Sequence, residues 1–370
     1  MSNQQLIVIK IGTSTIADVH GNINKDRIST YAQIVKTLKR QNYKIIIVSS
    51  GAIAAGRGRL GMKEKPGSIA AKQAVAAVGQ NILMNIYEQC FASKGIVVGQ
   101  ILLTHTDIVQ RDRCVNVQNT LKQLLFSYDV VPVINENDSV ATEEIKFGDN
   151  DKLSALVAAI AGADRLIICS NIDGLYTNDP LKNKDARLIS KVDKINDLIL
   201  QLGKKTTSKI GTGGMQSKLV AAKLATASGV TVSIVNGLEP KNVISLLNGD
   251  DIGTTFVPAP IKLESKKCWI AYGTEVKGRL VLDDGAVEAI KMQNKSLLPV
   301  GIHRVEGSFS QGDTVELFNR DSGEVGRGIV RYNHQELLNI RGLSSKEILS
   351  MGKAAQEAVN RDDMVVWGDE

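Results

Sequence analysis

At 370 residues, with 43% hydrophobic and 23% charged side chains, the chain is too long for one ordinary core and reads as a soluble protein of two domains. No apolar run approaches the ~20 residues needed to cross a bilayer, and MSNQQLIVIK enters a strand without the basic region of a signal peptide. The net charge of +6 is uneven: residues 277–370 hold 12 Lys and Arg against 15 Asp and Glu, and the preceding 276 hold 33 against 24. The first part therefore suits anionic small molecules, while the second lacks the footprint of a nucleic-acid binder.

From residue 6 to about 257, short Ile/Val/Leu runs alternate with helical stretches. Strands are predicted over Leu6–Ile11, Lys44–Val48, Val97–Leu103, Val130–Ile134, Arg165–Cys169, Thr231–Val235 and Gly253–Val257. Their unalternating apolar character is that of a parallel sheet covered on both faces. Helices are predicted over Lys25–Arg40, Ser68–Lys94, Val115–Phe126, Lys152–Ala161 and Met215–Ala227. The expected architecture is an α/β three-layer αβα sandwich with a mainly parallel sheet over residues 1–258. Pro258 and Pro260 break the pattern, and 259–276 reads as a charged linker. Residues 277–370, rich in short strands with Gly, Asp and Asn between them, read as a small mixed-β barrel with a tail.

The cysteines (Cys90, Cys114, Cys169, Cys268) and histidines (His20, His105, His303, His334) are scattered, without CxxC or metal-ligand spacing. Reduced thiols in a cytoplasmic protein are expected, and a protein-built metal site is not.

Five loops in the first domain concentrate polar groups at strand ends or helix starts. Lys10 closes the first strand before Gly12 and Thr13, and a lysine inside an apolar strand needs an anionic partner. Ser49-Ser50-Gly51 opens a helix after the second strand, which alone needs no more than an N-cap role. The densest signal is VPVINENDSVATEEIKFGDNDKL. There a strand is expected to end at Ile134 before Asn135, Glu136, Asn137 and Asp138, and Asp149, Asn150 and Asp151 open an apolar helix. Four acids and three amides exceed what turns and caps require, and both positions border the ligand crevice of an α/β fold. Ser170-Asn171 follows the fifth strand. Gly211-Thr212-Gly213-Gly214-Met215-Gln216-Ser217-Lys218 would offer amides, a positive dipole end and a lysine to a phosphate, although it is not a Walker A loop. Two lysines in phosphate-suited settings plus carboxylates at a helix start meet the needs of phosphoryl transfer.

In order and spacing, VIKIGTST, VSSGAIAAG, INENDSV, FGDNDKLSA, SNIDGLYTNDP and GTGGMQSKLVAA resemble the glutamate 5-kinases of the amino acid kinase superfamily. GRLVLDDGAVEAI, SLLPVGI and EGSFSQGDTVEL resemble a PUA domain. The resemblance implies ATP- and Mg²⁺-dependent phosphorylation of the L-glutamate γ-carboxylate, the first step of proline synthesis, with feedback inhibition by proline. It also implies a homo-oligomer, a dimer or tetramer, and leaves room for channelling to glutamyl phosphate reductase. By this resemblance Lys10 and Lys218 stabilise the transferring group and Asp151 holds them. Ser50, Gly51, Asp138, Asn150 and Asp149 bind glutamate, with Asp138 on the α-ammonium group and the Asn150 amide on a carboxylate. Lys10, Gly12, Thr13, Ser170, Asn171, Thr212, Gly213, Gly214, Met215, Gln216, Ser217 and Lys218 bind the nucleotide. Asn171 stands where relatives commonly carry an acid, so altered nucleotide affinity is expected there. RNA, which PUA domains bind in other contexts, is disfavoured as a partner by the acidic balance of 277–370.

Overall fold

The computed structural model describes residues 4–140, 150–180, 182–204, 214–258, 265–274, 276–352 and 354–367. The chain divides into two compact units, Met1–Lys262 and Leu263–Glu370.

Strands of the first unit are β1 (Leu6–Ile11), β2 (Lys44–Ser49), β3 (Val98–Leu103), β4 (Val131–Glu136), β5 (Arg165–Ser170), β6 (Lys191–Val192), β7 (Thr231–Asn236) and β8 (Thr254–Phe256). Its helices are α1 (Thr13–Ile16), α2 (Lys25–Arg40), α3 (Ala52–Arg59), α4 (Ile69–Ala92), α5 (His105–Val109) and α6 (Arg111–Lys122), then α7 (Asn150–Ala161), α8 (Asp197–Lys204), α9 (Met215–Ala227) and α10 (Asn242–Leu247). The sheet order is β3-β4-β2-β1-β5-β7-β8-β6, parallel except for the β7–β8 pair. The three-layer sandwich expected from the alternating pattern is thus the one formed.

β1 is buried along its whole length because helices cover both its faces. Ile7, Ile9 and Ile11 point into a core with Ile28, Tyr31 and Val35 of α2, Leu83, Tyr87 and Phe91 of α4, and Val243 of α10. Side chains alternate along a strand, so Lys10 points to the other face, where it meets α7. Helix α7 is apolar almost all round, with Leu153, Leu156, Val157 and Ile160 buried, as befits a helix sealed between the sheet and its neighbours. The strand order reverses beside β1, which pairs in parallel with β2 on one side and β5 on the other. That switch point is where α/β sheets open a crevice at the carboxyl ends of their strands.

β4 runs further than expected. Asn135 and Glu136 continue the strand, opposite Leu102 and Leu103 of β3, and both are buried. Pairing with β3 satisfies their backbone groups, which outweighs the low strand propensity of asparagine.

In the second unit, strands Val276–Leu282, Ile302–Gly307, Thr314–Phe318, Glu324–Val330 and Val359–Val366 form a mixed five-stranded sheet with one parallel pair. Leu280, Val315, Leu317, Leu337 and Met364 form its own core. The stretch read as a linker is structured in its second half. Ser265–Cys268 is helical, the helix continues through Trp269–Gly273, and Ile270 and Ala271 are fully buried. Burial of those apolar groups overrides the charged look of the segment. Among the described residues no helix is long and apolar enough to cross a membrane.

Candidate active site

The carboxyl ends of β1, β2, β4 and β5 and the amino ends of α3, α7 and α9 supply the polar groups expected from the sequence. At their centre lies Asp151, fully buried in the first turn of α7. Lys10 Nζ stands 2.5 Å from Asp151 Oδ1, and Lys218 Nζ stands 3.1 Å from Oδ2. The two lysines are 5% and 7% exposed, so the three charges form one desolvated cluster. Burial alone would raise the Asp151 pKa; the Lys10 and Lys218 ammonium groups outweigh it and hold the carboxyl well below its ordinary 3.8. One carboxylate between two lysines leaves the cluster cationic, which suits a phosphoryl group.

Ser217 occupies a place the sequence did not foretell. Its hydroxyl donates to Asp151 Oδ2 at 2.9 Å, so it steadies the carboxylate between the lysines. Gly214 is the N-cap of α9, Met215 is buried beneath it, and Gln216 is exposed. Gly12 lies so close to Lys10 that a Cβ there would sit 3.5 Å from its Nζ, which keeps Thr13 and the backbone beside the cluster. Ser170, 5% exposed, ends β5, and its carbonyl accepts from Gly237 N at 2.6 Å. The neighbouring Asn171 is exposed, and its Oδ1 lies 3.5 Å from the Ser170 hydroxyl. Asp149, Thr212 and Gly213 lie outside the described residues, as does the 142–147 segment.

On the β2 side, Ser50 N donates to Ile11 O at 3.1 Å, which ties the second loop to the first. Gly51 begins α3 with φ +112°, a left-handed conformation that favours glycine at this sharp entry. Asp138 sits half-buried in the turn that follows β4. Asn150 is 8% exposed, and its amide nitrogen donates to Ser49 O and to Asn135 Oδ1, both at 2.6 Å. The N–H groups expected to meet a substrate carboxylate are therefore already used within the protein.

Three contributors escaped sequence reasoning: Asn135, Gln80 and Tyr87. Asn135 donates to Gln80 Oε1 at 2.8 Å, and Tyr87 lies 2.9 Å from the Ser49 hydroxyl. Asn135 was visible as part of a polar cluster without a role. Gln80 and Tyr87 belong to α4, where no local pattern marks them.

The model of the amino acid kinase family matches residues 5–236, and that of the PUA domain matches residues 278–351. Glutamate 5-kinase of Nostoc punctiforme is 45% identical over 364 residues, which span 97% of this chain and 99% of that protein. Glutamate 5-kinase of Thermoanaerobacter sp. is 41% identical over 362 residues, covering 97% of each. Carbamate kinase from Giardia lamblia bound to AMP-PNP shares the fold of the first unit. Its TM-score is 0.50 at 15% identity, over 70% of this chain and 100% of that one. Family models that fill both units and near-full-length identity above 40% place the chain in the amino acid kinase family, among the glutamate 5-kinases that carry a PUA domain.

Proposed function

We propose that this kinase transfers the γ-phosphoryl group of ATP to the γ-carboxylate of L-glutamate, forming L-glutamyl 5-phosphate and ADP as the first step of proline biosynthesis. The observation that carries this reading is the buried Lys10–Asp151–Lys218 cluster at the carboxyl rim of a parallel sheet. A carboxylate oxygen attacks the γ-phosphorus while the bond to the β,γ-bridging oxygen breaks, and the electron pair leaves with ADP. The attacking group is already ionised at neutral pH, so no general base is required. What the reaction needs is positive charge fixed where the equatorial phosphoryl oxygens pass, and two ammonium groups held by a buried carboxylate supply it. Asp151 is engaged by both lysines, so the divalent ion enters with the nucleotide, as Mg-ATP.

By this reading Gly12, Thr13, Ser170, Asn171 and residues 214–218 serve the nucleotide, and Thr212 and Gly213, outside the described residues, are assigned to it by the resemblance. Ser50, Gly51, Asp138 and Asn150 serve glutamate, and Asp149, outside the described residues, is assigned to it by the resemblance. Proline carries the same α-carboxylate and a cationic amine but no acceptor carboxylate, which makes it a dead-end ligand for the glutamate subsite and a feedback inhibitor. The working form is a cytoplasmic homo-oligomer, a dimer or tetramer, that hands its labile acyl phosphate to glutamyl phosphate reductase.

The test is an ATP- and Mg²⁺-dependent hydroxamate assay with glutamate, N-acetylglutamate and aspartate, each with and without proline. Glutamate should be turned over with a kcat/KM at least about a hundredfold above the other two, and proline should raise its KM. Equal turnover of N-acetylglutamate would overturn the substrate assignment.

A further inference from the structure

The hydrogen bonds around Asn150 have a direction that two backbone groups impose. Ser49 O is an acceptor only, so the atom of Asn150 that meets it at 2.6 Å is the amide nitrogen. Glu136 N is a donor only, so the Asn135 atom that meets it at 2.9 Å is Oδ1. The second Asn150 hydrogen goes to that same Asn135 oxygen at 2.6 Å. Asn135 Nδ2 then points away and donates to Gln80 Oε1 at 2.8 Å. Neither amide can flip without setting donor against donor or acceptor against acceptor.

With both hydrogens committed, Asn150 has only its oxygen left to offer. That oxygen accepts no hydrogen bond from any described residue, although the side chain is more than nine-tenths buried. An amide oxygen that meets no described donor, on a side chain this buried, is open to a donor from a ligand. It stands in the residue next to Asp151, at the end of α7 that meets the carboxyl rim of the sheet.

We infer that Gln80 and Asn135 are positioning residues that lock the Asn150 amide with its oxygen toward the amino acid, so that Asn150 recognises a free α-ammonium group rather than a carboxylate. The inference rests on the proposed glutamate reading and deepens it. Asn150 then shares the amine with Asp138, and the carboxylates fall to hydroxyl and backbone donors such as Ser50. It also supplies a physical reason for rejecting substrates whose α-position carries no ammonium group. An α-hydroxyl offers one neutral donor where an ammonium offers three charged ones.

The test compares wild type with Gln80→Met and Gln80→Glu in the hydroxamate assay, using glutamate and its α-hydroxy analogue 2-hydroxyglutarate. Methionine suits the helix and fills similar volume but cannot accept from Asn135 Nδ2. Glutamate at position 80 keeps that acceptor. Gln80→Met should raise the KM for glutamate about tenfold, the effect of one hydrogen bond to a charged group, with kcat and the KM for ATP within about twofold of wild type. Its preference for glutamate over 2-hydroxyglutarate should fall by a similar factor, and Gln80→Glu should restore both. An unchanged KM in Gln80→Met would overturn the inference, as would an equal loss in Gln80→Glu. A change in the KM for ATP equal to that for glutamate would point to general loosening and refute it as well. If the wild-type enzyme does not turn over glutamate at all, the substrate reading falls first and this inference with it. Turnover of glutamate with an indifferent Gln80 sinks the inference alone.

Discussion

Asp151→Asn is the most demanding test of the charge cluster. The substitution keeps shape and removes the one negative charge between Lys10 and Lys218, 2.5 and 3.1 Å away. Two ammonium groups that share a carboxylate lie roughly 5 Å apart, and at an effective dielectric of about 20 they repel by about 3 kcal/mol. Removing one partner of a buried pair typically costs about 3–5 kcal/mol, because the orphaned charge stays desolvated. For a unit of this size that corresponds to a fall in Tm of about 10 °C, read by differential scanning fluorimetry. Mg-ADP or sulfate should return part of the loss, since either brings anionic oxygens to the lysines. The double variant Asp151→Asn/Lys218→Met should be more stable than Asp151→Asn alone. A Tm within about 2 °C of wild type, or a double variant less stable than the single, would refute the reasoning. The sign with pH follows from the depressed Asp151 pKa. Its stabilising contribution is complete above the unfolded value near 3.8 and is lost as pH falls below that toward the folded value. The gap between wild type and Asp151→Asn should therefore narrow only below about pH 4.

Three further outcomes are expected. Lys10→Ala or Lys218→Ala should lower kcat at least about a thousandfold while glutamate still protects against thermal unfolding, and near-normal kcat in either would end the phosphoryl-stabilising role. Asp138→Ala should raise the KM for glutamate about tenfold or more with kcat largely kept, whereas lost kcat at constant KM would reassign the residue. Gly79→Ala should separate α3 from α4, because a Cβ at 79 would come within 1.7 Å of Ala52 O. A loss of about 1–3 kcal/mol in stability is expected, together with a higher KM for glutamate, since Ala52 directly follows Ser50 and Gly51. Unaltered urea unfolding and KM would show that the two helices have slack at this contact.

Much of the fold was legible because its signals are local. α2 begins at Lys25, where the Asn24 side chain accepts from Arg27 N, and α9 begins at Met215 after a glycine-rich approach. The buried strands announced themselves as apolar runs, and Lys10, next to last in β1, stood out against them. The cost of burying it demanded an anion, and Asp151 is that anion. The end of β4 was misread because asparagine and glutamate resemble a turn until β3 pairs with them. The helical second half of the supposed linker was missed because its lysines mask the apolar groups that the second unit buries.

Composition and periodicity determined a two-part chain with an α/β first domain, and the ordered motifs added the resemblance to a kinase with a PUA domain and singled out Lys10 and Lys218. Each of those properties is written in residues close together in the chain. Only the tertiary structure decided that Ser217 braces Asp151 and that Gln80 and Asn135 orient Asn150. Those bonds join residues 66, 55 and 15 positions apart, and a hydrogen bond has a direction as well as a length. A sequence reveals which polar groups exist; their donors and acceptors are assigned only when the backbone around them is fixed in space.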